Sequence, residues 1–138
     1  MAYDGYLLKI GDFTIPHSII RADTYSAYIN MQDVDPWTDA DGYVHRNAIE
    51  LKALKVEFET VPQLTDKTLG EFMENIRKNF ISATAKSVNI TAFIPETGEY
   101  VTQHGYMVDI TPKIYGIFDN VVRYDPIRFA FVGGVADD

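Results

Sequence analysis

The chain has 138 residues, of which 46% are hydrophobic and 23% are charged, and these proportions fit one soluble globular domain with its own core. It contains no cysteine, which excludes a disulfide framework, thiolate metal sites and a cysteine nucleophile. The formal net charge of −8 argues against a protein that binds the phosphate backbone of a nucleic acid, because such proteins need clustered lysine and arginine.

The start of the chain and its hydropathy argue against export and membrane insertion. The N-terminal residues MAYDGYLLKI have neither the basic start nor the long apolar run of a signal peptide. No stretch approaches the ~20 apolar residues that a membrane span requires. We therefore expect a soluble protein that is made in a cytoplasm and has no membrane contact.

The apolar composition favours strands before any periodicity is counted. The chain has 14 Ile and 11 Val but only 6 Leu, together with 11 Thr, 9 Tyr and 8 Phe. β-Branched and aromatic side chains fit the pleated, half-buried surface of a sheet. The composition therefore predicts a mostly β protein.

Short strands are predicted in the first part of the chain. Residues 5–16 (GYLLKIGDFTIP) have the pattern of a small hairpin, in which Gly11 and Asp12 supply the turn and Pro16 stops the pairing. Another strand is predicted within residues 22–29, where every second residue is apolar.

The clearest strand signal lies in residues 49–61. Leu54, Val56 and Phe58 alternate with charged residues, so one face of this strand should be buried and the other wet. Pro62 ends the pattern.

One amphipathic helix is predicted at about residues 65–82. Thr65 or Asp66 is the expected N-cap, and the acidic residues stand early and the basic residues late, as the helix dipole favours. A single apolar stripe with helical spacing should lie on a sheet; it consists of Leu69, Phe72, Met73, Ile76 and Phe80.

From Ser87 onward the alternating pattern predicts strands again. Residues 95–100 (PETGEY) predict a hairpin turn, and Asp119 with Asn120 predicts another. The order of about three strands, one helix and about four strands belongs to the α+β class. We expect a single domain, residues 1–138, with a flexible end at 133–138. Its core should be a β-sandwich or rolled antiparallel sheet of about seven strands with one flanking helix.

The acidic stretch at about residues 31–47 is the only segment with the look of a chemical site. As a calcium EF-hand loop it fails, because placing Gly42 at position 6 puts Trp37 at position 1 and Ala48 at position 12. No metal is therefore expected. Its aspartates and Gly42 are typical of turns, so the stretch is predicted to be a long solvated loop or hairpin arm.

A loop of this length is unusual in a small domain unless it has a role. Large aromatic residues beside turn residues suggest that a partner covers them. The hypothesis is an interface formed by the loop; its alternative is a loop that folds back on its own domain. The candidate interface residues are Trp37, Tyr43, Asp35, Asp39 and Asp41.

No catalytic signature is present. The chain lacks a G-x-S-x-G elbow, a phosphate-binding loop, a dinucleotide fingerprint and an H-E-x-x-H motif. Three histidines stand far apart, and a site with two carboxylates beside His45 or His104 would depend wholly on the fold. We expect no enzyme activity, no catalytic residues and no cofactor.

Four segments of the chain resemble a family of small uncharacterised proteins found beside tail genes in tailed phages and prophages of Gram-positive bacteria. These segments are YLLKIGDFTIP, RNAIELKALKVEFETVPQLT, FIPETGEYVTQHGYMVDITPKIYGI and YDPIRFAFV, so the resemblance covers nearly the whole chain. The layout is also similar to the phage tail-tube fold. In that fold a rolled sheet carries one flanking helix, and a long loop after the early strands reaches a neighbouring ring.

The resemblance implies a structural component of a bacteriophage tail, such as a tail tube, distal tail or baseplate ring, or tail-completion protein. It implies a homo-oligomeric, hexameric ring in the virion that contacts other tail proteins. DNA would pass only as transiting cargo, and the acidic charge would limit sticking. The alternative is a monomeric β-rich module that binds a carbohydrate or a host receptor through Trp37, Tyr100 and Tyr106.

Overall fold

The structure is a computed structural model, and it describes residues 3–30, 37–38, 40–42, 44–45 and 53–135. One 3₁₀ turn, Ala22–Thr24, stands between the second and third strands. The elements in chain order are β1 (Leu8–Ile10), β2 (Phe13–Thr14), β3 (Ser26–Asn30), β4 (Trp37–Thr38), β5 (Val44–His45), β6 (Ala53–Glu59), β7 (Leu64–Thr65), α1 (Asp66–Lys78), β8 (Ser87–Ile94), β9 (Glu99–Met107), β10 (Ile114–Phe118), β11 (Val121–Tyr124) and β12 (Arg128–Val132).

The main unit is a seven-stranded antiparallel sheet with the order β2-β1-β8-β9-β12-β6-β3. Its longest pairing joins β8 to β9, from Ser87 opposite Tyr106 to Ile94 opposite Glu99. A three-stranded sheet has the order β10-β11-β7, and β4 pairs with β5. The prediction of an α+β, mostly β protein with about seven antiparallel strands and one helix is confirmed.

The seven-stranded sheet rolls, so that its β3 edge approaches β1 and β8 near the opposite edge. Tyr25, directly before the edge strand β3, has its hydroxyl 2.7 Å from the carbonyl oxygen of Phe93 on β8. The same hydroxyl lies 3.0 Å from the carbonyl oxygen of Leu7, next to β1. Because these contacts join chain segments at opposite ends of the strand order, they close the roll around its core.

Aromatic side chains fill the space between the sheet and α1. Phe58 and Phe129 lie on neighbouring strands and stack with ring centroids 5.3 Å apart. Phe72 from the helix meets Phe129 edge-on at 5.4 Å. The predicted apolar stripe therefore lies on the sheet, with Leu69, Phe72 and Ile76 buried.

The helix starts as predicted and ends earlier than predicted. Thr65 is the N-cap, and its hydroxyl oxygen accepts a hydrogen bond from the backbone N–H of Thr68 at 3.2 Å. The helix ends at Lys78 rather than near residue 82. Asn79 follows it, and the side-chain oxygen of Asn79 accepts from the backbone N–H of Asp12 at 2.9 Å. This tertiary contact holds the residue at the helix end, and the chain then turns toward β8.

The early strands and the C-terminal end differ in detail from expectation. The strand predicted within residues 22–29 begins only at Ser26, because a 3₁₀ turn occupies its first residues. Near the C-terminus, the backbone N–H of Gly133 donates to the backbone carbonyl of Leu54 at 2.7 Å. The backbone N–H of Val135 donates to the backbone carbonyl of His104 at 3.0 Å. These bonds tie residues 133–135 to β6 and β9. The remaining residues of the predicted flexible end lie outside the described residues.

Candidate interaction surface

The acidic stretch contains a short hairpin. Trp37 pairs with His45 and Thr38 with Val44, in the antiparallel ladder of β4 and β5. The turn between them includes Asp41, which is exposed, and Gly42, whose φ of +88° favours glycine. The stretch was predicted to be a long loop or a hairpin arm, and its described part forms a hairpin.

Of the predicted interface residues, the structure places two. Trp37 lies on β4 and Asp41 in the turn. Asp35, Asp39 and Tyr43 lie outside the described residues. The interface role of the five therefore stays a prediction that rests on their sequence.

A second hairpin, β10–β11, carries four exposed large apolar side chains on one of its strands. All four large apolar residues of β10 are more than half exposed: Ile114 58%, Tyr115 55%, Ile117 65% and Phe118 51%. Strands normally bury at least one face. Contiguous exposed apolar residues of this kind mark interaction sites.

The hairpin has a tight turn built from non-glycine residues. Asp119 and Asn120 both have positive φ, +50° and +63°, which is the pattern of a type I′ turn. Asp and Asn tolerate this backbone conformation better than other residues with a Cβ atom. The strands beside the turn are therefore held in register, with Phe118 opposite Val121 and Ile117 opposite Val122.

A bulge at the start of β10 alters the order of its side chains. Ile114 pairs with Tyr124, but Gly116 pairs with Arg123, so Tyr115 is the extra residue. The Tyr115 and Phe118 rings lie 6.3 Å apart. A Cβ atom on Gly116 would lie 2.9 Å from the Phe118 ring, so the glycine leaves room for that ring. The bulge and the glycine together cluster two aromatic rings on the exposed hairpin.

Among the strands that the structure describes, β7 supports the hairpin, and it does so only at the base. β7 pairs with Arg123 and Tyr124 of β11, and the guanidinium of Arg123 donates to the carbonyl of Gln63 at 3.1 Å. Nearer the tip, neither Ile117 nor Val122 has a further strand partner in the described sheets. The distal half is therefore a two-stranded ribbon.

A groove of about 630 Å³ lies beside α1. Its apolar lining comes from the helix and from the chain just after β9, and it includes Leu69, Met73, Phe80, Met107 and Ile110. Charged residues also line it. Among them, Lys86 forms an ion pair with Asp109 and donates a hydrogen bond to it, which lowers the pKa of the Asp109 carboxyl below its ordinary value. A groove with this lining suits an apolar segment with polar ends.

The described residues offer neither a metal site nor a membrane-spanning helix. No group of three or more His, Cys, Asp or Glu side chains in that part of the chain could hold a metal ion. His104 lies on β9, with its Nδ1 3.4 Å from the side-chain oxygen of Asn89, and it does not line the groove. Among the same residues, no helix is long and apolar enough to span a membrane.

Tyr100 is already engaged within the protein. Its ring stacks on Tyr6 at 4.7 Å and meets Phe93 at 5.4 Å, and its hydroxyl donates to the Tyr6 carbonyl at 2.7 Å. A ring held in this way cannot stack freely on a sugar. The structure thus gives no support to a carbohydrate groove that uses Tyr100 and Tyr106 together.

Sequence reasoning missed the β10–β11 hairpin as a surface. The run KIYGIFDNVVRY was predicted as a strand and a turn, without an exposed role. A signal was present, since the apolar residues of this run do not alternate with polar ones. Such a run predicts burial on both faces, and the described residues do not supply that burial.

Comparison with known proteins gives a family and a fold. The model of a family of unknown function (DUF6711) matches residues 1–134. No curated protein matches the chain. Among solved structures, the fold is similar to a chain from the "Tail of empty GTA particle computed with helical refinement, C6 symmetry", with a TM-score of 0.55. The identity is 15%, and the match covers 98% of this chain and 96% of that chain. At that identity the similarity shows a shared fold.

Proposed function

The chain belongs to this family of unknown function, DUF6711, and from that premise we propose that it is a structural component of a bacteriophage tail. In this role it forms a homo-oligomeric ring and performs no catalysis. The tail tube, the distal tail or baseplate ring and the tail-completion position are the places for such a ring. The Gram-positive host implied by the resemblance stays a prediction.

The observation that carries the proposal is the fold similarity along nearly the full length of both chains. It joins this chain to a component of a tail particle with C6 symmetry, covering 98% of the one and 96% of the other. Coverage of this kind compares whole subunits rather than one shared motif. It supports a ring of six copies, since a C6 particle is built from six-fold rings.

The surface of the chain also favours assembly. The four apolar residues of β10 are exposed in the single copy, and a neighbouring copy would remove them from water. β3 is an edge strand of the seven-stranded sheet and leaves ladder groups available for a partner. The net charge of −8 keeps assembled copies from sticking to DNA that passes through them.

The test is the solution mass of the purified protein, measured by light scattering across a concentration series. Six 15.6 kDa chains give a ring of about 94 kDa. We expect this mass, or larger assemblies, to replace the monomer as concentration rises, and negative-stain electron microscopy should show six-fold rings or tubes. A monomer at every concentration would count against the ring.

A further inference from the structure

The exposed hairpin and the groove beside α1 are complementary features of one chain. We propose that the distal half of the β10–β11 hairpin of one copy docks into the α1 groove of the next copy. This inference rests on the proposed self-assembly and names the contact that would carry it. The occupant of the groove is a second copy of this chain.

The described part of its own chain leaves the hairpin without an apolar cover. Ile117 and Phe118 are 65% and 51% exposed, and β7 pairs only with the base of β11. A two-stranded ribbon is marginally stable in water without a surface to pack on. Burying these side chains would remove apolar area from water and hold the ribbon at the same time.

The groove has the apolar floor that such a ribbon requires. Leu69 and Met73 line it from the helix, and Met107 and Ile110 line it from the opposite side. Gly70 also lines it, and a Cβ atom built there would meet nothing within 4 Å. The space above the helix at Gly70 is therefore open to an incoming side chain.

The tip of the hairpin does not fill the groove of its own chain, because the base of the hairpin forms part of that groove's lining. Pro112, just before the hairpin, and Tyr124, at its base, are themselves part of the groove lining. The turn at Asp119 and Asn120 lies about four residues beyond the base pair of Ile114 and Tyr124, or roughly 13 Å at the rise of an extended chain. This length separates the tip from the groove residues at the base, so that a second copy can meet the tip.

The charged residues of the groove can orient the tip. The tip carries Asp119, and the groove is lined by two cations, Arg77 and Lys86, and also by two carboxylates, Asp66 and Asp109. Entry of the tip would bring the Asp119 carboxylate toward these two cations, although Lys86 already pairs with Asp109. Opposite charges at the rim orient a contact whose apolar centre supplies most of its energy.

This contact joins two different surfaces, so it is head-to-tail. A head-to-tail contact repeats from copy to copy and produces a closed ring or an open filament, whereas a contact between identical surfaces stops at a dimer. A hairpin-to-groove contact is therefore the type that a six-membered ring requires.

Two variants test the two sides separately. Ile117→Asp places a charge on the hairpin, and Gly70→Trp fills the groove. Each should raise the concentration for half-assembly by about tenfold or more in light scattering, as loss of a central interface contact does. Thr97→Asp, at an exposed turn residue, and Lys67→Trp, at an exposed helix residue that does not line the groove, are the matched controls and should assemble at concentrations close to wild type.

Mixing the two defective variants distinguishes the proposed contact from its alternatives. The Gly70→Trp chain keeps an intact hairpin and the Ile117→Asp chain keeps an intact groove, so an equimolar mixture should form one heterodimer and stop there. Circular dichroism should show both variants folded. Assembly of Gly70→Trp alone, or a mixture that stays monomeric, would overturn the hairpin-to-groove contact.

The failure of this contact and the failure of the proposed function are separable. If wild type assembles and both variants assemble equally well, the docking contact is wrong and the ring stands. If wild type stays monomeric at every concentration, the docking contact and the proposed self-assembly are both wrong.

Discussion

The hydroxyl of Tyr25 lies 2.7 Å from the carbonyl oxygen of Phe93, and this hydrogen bond links the start of β3 to β8 across the rolled sheet. Tyr25 and Phe93 are 68 residues apart in the chain. The carbonyl of Leu7 is also within 3.0 Å of the same hydroxyl. One side chain thus links β3 to the backbone of β8 and to the residue before β1. The Leu7 carbonyl also accepts from the backbone N–H of Phe93 at 2.8 Å.

Tyr25→Phe is expected to lower the free energy of unfolding by about 1–2 kcal/mol, because it removes the part-buried O–H whose single hydrogen the carbonyls of Phe93 and Leu7 share. Urea denaturation followed by circular dichroism measures the change. Tyr28→Phe is the matched control, since Tyr28 is 40% exposed, and its effect should stay within about 0.5 kcal/mol. Equal effects of the two substitutions would contradict the role given to the Tyr25 hydroxyl.

The same tyrosine should contribute to alkaline unfolding. Burial raises the pKa of Tyr25 above its ordinary value of 10.0. Above pH 10 the unfolded chain loses this proton while the folded chain keeps it, so the free energy of unfolding falls with rising pH by up to about 1.4 kcal/mol per pH unit. The contribution is fully present below pH 10. In Tyr25→Phe the free energy of unfolding should fall less steeply above pH 10 than in wild type, by that amount. Urea titrations at several pH values measure both slopes. Equal slopes for the two proteins would refute the role of Tyr25 in alkaline unfolding.

Phe72→Ala should cost about 3–5 kcal/mol of stability, because it opens a cavity between α1 and the sheet. The Phe72 ring is 3% exposed and contacts Phe13 and Phe129 at centroid distances of 5.8 and 5.4 Å. Thermal and urea denaturation give the change. Lys67→Ala, on the exposed side of the same helix, is the control, and its effect should stay within about 0.5 kcal/mol. A small loss for Phe72→Ala would mean that the helix does not depend on this contact.

Two glycines should respond in opposite directions to alanine. A Cβ atom on Gly105 would lie 2.0 Å from the carbonyl oxygen of Val132, so Gly105→Ala should cost about 1–3 kcal/mol by forcing β9 and β12 apart. At Gly70 in α1 the Cβ atom meets nothing within 4 Å, so Gly70→Ala should raise stability by about 0.5–1 kcal/mol. Urea denaturation compares the pair, and the same sign for both would be inconsistent with these geometries.

Trp37→Ala tests the predicted interface of the acidic hairpin arm. The fold should remain intact, while assembly should weaken by about tenfold or more, because a large aromatic residue at an interface is a frequent source of binding energy. Light scattering across a concentration series measures assembly, and circular dichroism checks the fold. Thr38→Ala, the neighbouring residue on β4, is the control. Normal assembly of Trp37→Ala would remove the arm from the interface.

The local elements followed from the order of the residues. The alternation of Leu54, Val56 and Phe58 predicted β6, whose apolar positions are buried. The spacing of Leu69, Phe72 and Ile76 predicted the buried face of α1, and Thr65 predicted its start. These features depend on neighbours within about one turn or one pleat, so a single sequence contains the information that they require.

Contacts between distant residues decided the rest. The end of α1 at Lys78 depends on Asn79, whose partner Asp12 is 67 residues away. The place of β1 beside β8, and of β12 between β9 and β6, depends on which strands meet in the roll. The periodicity within a strand does not predict which strand it pairs with, because any strand with one apolar face can pair with many others.

The candidate interaction surfaces also depend partly on the sequence and partly on the tertiary structure. The sequence by itself determined that the acidic stretch has turn residues beside large aromatic ones, and that the chain lacks the familiar catalytic motifs; the interface role of those aromatic residues stays a prediction. Only the tertiary structure decided that the apolar residues of β10 lie in water rather than in the core. The physical reason is that an apolar run predicts that its side chains will be buried, but it does not predict which residues will bury them. Those residues depend on where the chain has placed its other elements and on which other chain comes to meet it.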